Sequence, residues 1–325
     1  MMMTTHTASA PAKVILFGEH FVVYGNPAIL AAINSRITAT VRAIQEDRIV
    51  IKSDIGAAGE YSGSTFKLID GGGQARIILD PLCNAVKQVL AANRQKTGVR
   101  IDLRSEVPYG VGLGSSAASC VATVAVVDSL SSKHDRQWIC KKAVESERMI
   151  HKNSSGADCY VSTVGGLIRY SKKDGYKRLE SKDGLSIVIG NTGTRHSTGA
   201  LVERVAKFKD KNKSKFRDLS RQASQICSDA VSAIESGSQE KLGMLMNENQ
   251  KLLREVGVSQ QKAETLIETC INAGALGAKI TGAGGGGAII ALAATKKESA
   301  RIAASVRKSG FESIEAEIDH TGLII

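Results

Sequence analysis

Aromatic side chains make up only 4% of the 325 residues, and Trp138 is the only tryptophan. Such a chain offers no stacking platform for exposed bases, and its core must come from Ala, Val, Ile and Leu, with 32 glycines supplying the tight backbone. Cysteine follows no paired pattern. Cys83, Cys120, Cys140, Cys159, Cys227 and Cys270 form no C-x-x-C, and several sit among apolar neighbours, where Cys behaves as a small hydrophobe. Reduced thiols in a cytoplasmic protein are the expectation. No apolar run approaches the roughly 18 residues of a membrane span, since the weakly polar stretch Ala117 to Val127 is short and contains Ser119 and Thr123. The apolar run Val14 to Phe17 is cut at once by Gly18, Glu19 and His20, so neither a secretory signal nor a membrane association is expected.

What is present describes a folded protein. Hydrophobic residues at 42% and charged residues at 23% lie far from disordered compositions. At about 150 residues per domain the length predicts two domains. A net charge of +11 biases the surface toward anions: nucleic acid, acidic lipid, or small phosphorylated or carboxylated substrates. The densest basic cluster, Arg204, Lys207, Lys209, Lys211, Lys213, Lys215 and Arg217, has only Phe208 and Phe216 interleaved. It reads as a solvated helix or loop face, and no nucleic-acid partner is expected.

Periodicity predicts a strand from Ala12, a glycine-containing turn to Gly25, a short apolar run Ala28 to Ile33, then an antiparallel pair formed by Ile37 to Ile44 and Arg48 to Lys52. Asp80-Pro81 is read as a helix start, with Leu82, Ala85, Val86, Val89 and Leu90 on its buried face. Val99 to Leu103 reads as a strand. A small-residue helix runs from Ser115 to about Leu130, and Asp135 caps a helix from Arg136 to about His151. Tyr160 to Tyr170 reads as a strand, and the polar stretch Lys172 to Gly184 as a domain boundary. Strands at Leu185 to Ile189 and Ala288 to Ala293, helices between and after them, and a last strand complete the pattern.

The strongest motif is Pro108-Tyr109-Gly110-Val111-Gly112-Leu113-Gly114-Ser115-Ser116, a glycine loop running straight into a helix. Free N–H groups of a first helical turn and the positive end of its dipole make an anion site, and Gly110, Gly112 and Gly114 let backbone approach a polyphosphate. No Gly-x4-Gly-Lys-Ser/Thr is present, so Ser115 and Ser116 take the hydroxyl duties toward phosphate or Mg²⁺. A second loop, Gly282 to Gly287, contains G-x-G-x-x-G but leads into a strand, which removes the dinucleotide reading; it is expected to pack against, or donate N–H groups to, the same phosphate site, with Gly282 and Gly284 as cofactor-binding positions, the alternative being a tight hairpin. Glu147 near a helix end and Asp158 after a Ser-Ser-Gly turn can converge on one cleft. One can hold Mg²⁺ while the other accepts a proton from a substrate hydroxyl, the division that phosphoryl transfer requires. Lys13 precedes the first apolar strand, and a lysine beside an aspartate stabilises both the carboxylate and a developing alkoxide.

Lys13 with Gly18-Glu19-His20-Phe21-Val22-Val23-Tyr24-Gly25, the loop from Pro108 to Ala118, and Lys279 to Gly287 resemble the three signature motifs of the GHMP kinases. Glu147 to Asp158, Gly165-Gly166 and Asn191 to Thr198 are similar to the mevalonate kinases within that family. A galactokinase would carry Gly-Glu-His-Thr-Asp where this chain has Gly-Glu-His-Phe-Val. The resemblance spans nearly the whole chain. It implies an α+β, two-domain GHMP kinase fold, residues 1–172 being ribosomal protein S5 domain 2-like and residues 173–325 a ferredoxin-like α/β sandwich, with ATP in the cleft between them. By position it makes Asp158 the catalytic base and Lys13 its charge partner. Ser116 and Glu147 become Mg²⁺ ligands, Pro108 to Ser116 with Leu113 the ATP loop, and Glu19, His20, Arg195 and Thr198 the residues that contact the acidic substrate or hold its site. The implied activity is ATP- and Mg²⁺-dependent 5-phosphorylation of mevalonate by a cytoplasmic homodimer, the alternatives being a phosphomevalonate kinase, a mevalonate 3-kinase or a diphosphomevalonate decarboxylase. One departure stands out: the family's Gly-Asn-Pro-Ser-Gly before the base reads Lys152-Asn153-Ser154-Ser155-Gly156, without proline.

Overall fold

Two long strands, β1 (Thr5–Phe17) and β2 (Ala28–Ile44), pair antiparallel from Thr5 opposite Arg42 to Phe17 opposite Ile29. Their alternation places Ala8, Ala10, Ala12 and Val14, with Ile37, Ala39 and Val41, in the core. The apolar runs expected as separate pieces, Ala28 to Ile33 and Ile37 to Ile44, are therefore one strand. A single-turn 3₁₀ helix, Phe21–Tyr24, lies in the connection. In this computed structural model the described residues are 5–108, 110–131, 134–149, 154–182, 184–194 and 198–325.

The first sheet continues with β3 (Ile49–Ser53), β4 (Ala57–Ser62), β5 (Thr65–Asp70), β6 (Gly98–Ser105), β7 (Leu167–Ser171) and β8 (Gly175–Leu179), in the order β5-β4-β3-β6-β2-β7-β8 with β1 on β2. The expected antiparallel pairing of the Ile37 and Arg48 segments does not form. Instead β6 stands between them, antiparallel to β2 and parallel to β3. Val99, Ile101 and Leu103 are buried, and a strand so apolar is stable with neighbours on both edges, not at a sheet rim. The parallel pair needs a long crossover, which the β4–β5 hairpin and helix α1 (Ala75–Ala92) supply. Helix α1 starts before the expected Asp80-Pro81 and carries Pro81 inside it. Ala75 and Leu79 extend the buried stripe of Leu82, Ala85, Val86, Val89 and Leu90 backwards at helical spacing, and that burial outweighs the missing N–H at Pro81.

Helix α2 (Ser115–Asp128) is the central element of this half. From Ala117 on it is buried almost all round, which explains its lack of a polar face. It packs on β1 and β2, flanked by α1, by α3 (Arg136–Glu147) and by α4 (Ala157–Val164). Asp135 caps α3, accepting from the Trp138 amide at 2.8 Å. The strand expected over Tyr160 to Tyr170 is instead α4 followed by β7: Ala157 and Val161, four apart, bury one helical face, and Gly165-Gly166 ends the helix. The polar segment after residue 172 forms β8, paired with β7, so the expected division at 172/173 falls inside a hairpin. We propose the division a few residues later, between β8 and β9 (Ser186–Asn191).

The second half is a four-stranded antiparallel sheet, β10-β11-β9-β12, from β9, β10 (Gly277–Ile280), β11 (Ala288–Ala293) and β12 (Glu312–Glu317). Helices α5 (Thr198–Lys211), α6 (Lys213–Ser236), α7 (Gln239–Glu255), α8 (Gln261–Asn272) and α9 (Lys296–Lys308) accompany it, α8 and α9 packing on the strands and α7 on β10. The chain then returns to the first sheet, where Ser9 bridges Ile324 and Arg36 pairs with Asp319. The cysteines are free and buried. Burial pushes the thiols of Cys140, Cys227 and Cys270 up to about 12, toward the protonated form.

Candidate active site

Lys13 ties β1 to the first glycine loop. Its backbone N–H donates to Leu113 O at 2.9 Å, and its ammonium donates to Gly112 O at 3.3 Å. Gly114 caps α2 in the left-handed region at φ +73°, and a Cβ there would lie 2.8 Å from Lys13 Cγ, so the lysine stem occupies the space that a side chain would need. No side chain caps α2. Its first N–H groups and dipole face the loop uncompensated, and the hydroxyls of Ser115 and Ser116, both half-buried, have no hydrogen-bond partner among the described residues.

Across from the loop, Lys13 Nζ lies 3.2 Å from Asp158 Oδ2, with side-chain exposures of 4% and 31%. The lysine is behind and the carboxylate in front. Asp158 sits in the first turn of α4, where the helix dipole favours its charge. Glu147, the last residue of α3, is buried, and burial first, then the charge of Asp158, pushes its carboxyl up to about 7. Ser154 Oγ donates to Glu147 Oε2 at 2.8 Å and accepts from the Gly156 amide at 3.2 Å. The Ser154 hydroxyl thus pins the turn before Asp158 by hydrogen bonds.

The second glycine loop packs against the first. Thr281 Oγ1 accepts from the Ile15 amide at 2.8 Å and donates to Ile15 O at 3.1 Å, while the Ala288 amide donates to Val111 O at 3.1 Å. Gly282 and Gly284 lie in that loop, at φ +75° and +73°. His20, at φ +60°, holds a backbone conformation costly for a residue with a side chain, and its Nε2–H donates to Ala283 O at 2.8 Å. Glu19 forms an ion pair with Lys279, both side chains at 0% exposure, and Asn249 Nδ2 lies 3.4 Å from the Glu19 carboxylate. Burial pushes Glu19 up and Lys279 down, each toward its neutral form, and each offsets that push on the other. The Glu19 carboxylate is thus committed to Lys279.

The structure thus brings together Lys13, the loop from Gly110 to Ser116, Glu147, Asp158, Glu19, His20 and the second loop. Pro108 lies just after β6, at the entry to the first loop. Thr198 begins α5 and is exposed, without a hydrogen bond to this cluster among the described residues. Arg195 lies outside the described residues. Sequence reasoning gave no role to Lys279 or Thr281; the available signal was a lysine between Ala278 and Ile280 in an apolar strand. Among the described residues no group of three or more His, Cys, Asp or Glu could hold a metal. The donor set still fits Mg²⁺, which takes one or two carboxylates and completes its shell with water and phosphate oxygens. A buried carboxyl crowded by a second one, with an uncommitted hydroxyl at the α2 terminus, is a place that a cation would stabilise.

Residues 82–166 match the GHMP kinases N terminal domain and residues 230–312 the GHMP kinases C terminal. A mevalonate kinase of Pyrococcus furiosus is 38% identical over 98% of this chain and 97% of that protein. The chain belongs to the GHMP kinases, in their mevalonate kinase branch. A mevalonate kinase of Thermococcus gammatolerans is 37% identical over the same 98% of the chain and 97% of its own length. The crystal structure of an L. major mevalonate kinase in complex with R-mevalonate superposes with a TM-score of 0.86 at 28% identity, covering 98% of this chain and 97% of that one. The two-domain α+β fold is that of this GHMP kinase family.

Two outcomes follow for this GHMP kinase. Glu19→Gln or Lys279→Met alone leaves a buried charge unpaired and costs about 3–5 kcal/mol in denaturant unfolding, whereas the double variant costs clearly less than the sum; additive losses would mean that the pair is not coupled. Burial holds the His20 imidazole below its ordinary pKa, so the folded state keeps it neutral. The stability this contributes is present above about pH 6.5 and is lost as pH falls through the folded value. The melting temperature should therefore drop between pH 7 and pH 5 by less in His20→Gln, which keeps an N–H donor for Ala283, than in the parent.

Proposed function

We propose that this chain transfers the γ-phosphoryl group of ATP to the primary 5-hydroxyl of (R)-mevalonate. The Lys13–Asp158 pair at the mouth of the α2 glycine loop carries the reading, because it places a solvent-reachable carboxylate beside a ready-made phosphate site. The substrate comes from the relatives: near-full-length mevalonate kinases, one of them solved with R-mevalonate.

Asp158 accepts the proton of the attacking hydroxyl. Lys13, anchored by Gly112 O, offsets the negative charge that grows on that oxygen and fixes the base relative to the loop. The N–H groups of the loop and first α2 turn hold phosphate oxygens in line with the hydroxyl, so the chain's contribution is position and electrostatics. Ser116 and Glu147 would hold Mg²⁺, which supplies charge neutralisation on the phosphates. Glu19 and His20 keep the substrate-side turn in place. No helix among the described residues is long and apolar enough to cross a membrane. A cytoplasmic homodimer working on a small molecule is the state the family resemblance supports.

A coupled ADP-release assay with mevalonate, phosphomevalonate, homoserine and galactose tests the substrate: turnover of mevalonate alone is expected, and preference for any other acceptor overturns the assignment. Asp158→Asn should cut kcat by about 10²–10⁴-fold with nucleotide binding nearly intact and no rescue by metal. Glu147→Gln should instead regain part of its rate as free Mg²⁺ rises or Mn²⁺ replaces it. Identical metal-response curves for the two variants would mean that the carboxylates share their roles.

A further inference from the structure

The basic segment set aside as a solvated face does not lie on a flat surface. It forms one wall of an open groove of about 790 Å³ between the turn that follows His20 and the junction of α5 with α6. Phe216 is buried at its floor, edge-on to Tyr24 with ring centres 4.9 Å apart and stacked on Phe21 at 5.8 Å. Lys209 hangs over the Tyr24 ring at 4.9 Å, and Lys213, Arg217 and Arg221 follow one another along the same face of α6.

These cations differ from their neighbours in how they are balanced. Lys207 pairs with Glu203, Lys215 with Glu255 and Arg221 with Asp218. Lys209, Lys213 and Arg217 have no carboxylate partner among the described residues. The first turn of α6 contains no acidic residue, so Lys213 also faces the positive end of its own helix dipole. The acidic groups that bear on the groove are Asp218, paired with Arg221, and Asp210, felt at Tyr24. Unbalanced cations, a helix start and an aromatic floor in one concavity form a recognition surface for an anion with an apolar part; a merely solvated face needs none of that convergence.

We propose that this groove is a second ligand site, separate from the catalytic glycine loop, for a small organic phosphate: its phosphate held by Lys213 and Arg217, its organic part laid on Phe216 and Tyr24.

Titration calorimetry of the full chain with phenyl phosphate, the catalytic loop saturated with ADP and Mg²⁺, tests this. One equivalent should bind, several-fold more tightly than inorganic phosphate, and the affinity should fall about tenfold or more in Lys213→Ala/Arg217→Ala. Both residues are exposed on a helix, where alanine keeps the fold, and unchanged kinase activity checks that it does. Absence of binding to the ADP-saturated protein, equal affinity in the double variant, or preference for a single-stranded RNA oligonucleotide over phenyl phosphate would each overturn the proposal.

Discussion

Glu19 and Lys279 meet with both side chains out of solvent, one on the turn after β1 and the other on β10 of the second half. A buried ion pair of this kind adds little net stability over an apolar pair, but it is costly to break and tolerates few geometries. It therefore acts as a register pin. Around it the same two segments meet again through Thr281 on Ile15 and His20 on Ala283, and the second loop reaches the first through Ala288 on Val111. With these contacts in place, β1 presents Lys13 to the first glycine loop and to Asp158. Two halves built on separate sheets thus produce one site.

The two carboxylates of that site are chemically identical and physically unlike. Asp158 is partly open, starts a helix and has an ammonium beside it; Glu147 is closed in, ends a helix and is crowded by Asp158. The open one suits proton transfer with an entering hydroxyl. Burial and the neighbouring Asp158 disfavour the charge of the closed one. Ser154 bonds to Glu147 and to the turn before Asp158, and these two hydrogen bonds couple the residues.

Much of this was legible in the chain because it depends on local grammar. A glycine loop followed by Ser-Ser and a small-residue run announces a helix start that faces an anion, and Asp135 before a segment free of Gly and Pro announces a cap. What was missed depends on distant partners. The pairing of β3 with β6 is invisible to periodicity, since the intervening hairpin and α1 decide which strand inserts beside it. Pro81 suggested a helix start because local rules favour it there, but Ala75 and Leu79 had core surface to cover. The segment over Tyr160 is short enough that its apolar pattern suits strand or helix, and packing beneath α2 selects the helix. Lys279 gave only the faint signal of a charge in an apolar strand, and nothing local points from it to Glu19, 260 residues away.

If Lys13 and Asp158 act as proposed, phosphoryl transfer goes to the primary hydroxyl of mevalonate. The most direct measurement is proton-coupled phosphorus NMR of the product formed from mevalonate and ATP. A phosphorus resonance split by the two protons of one CH₂ group is the predicted result. A product phosphorus with no CH₂ coupling, as a tertiary 3-phosphate gives, would contradict the claim.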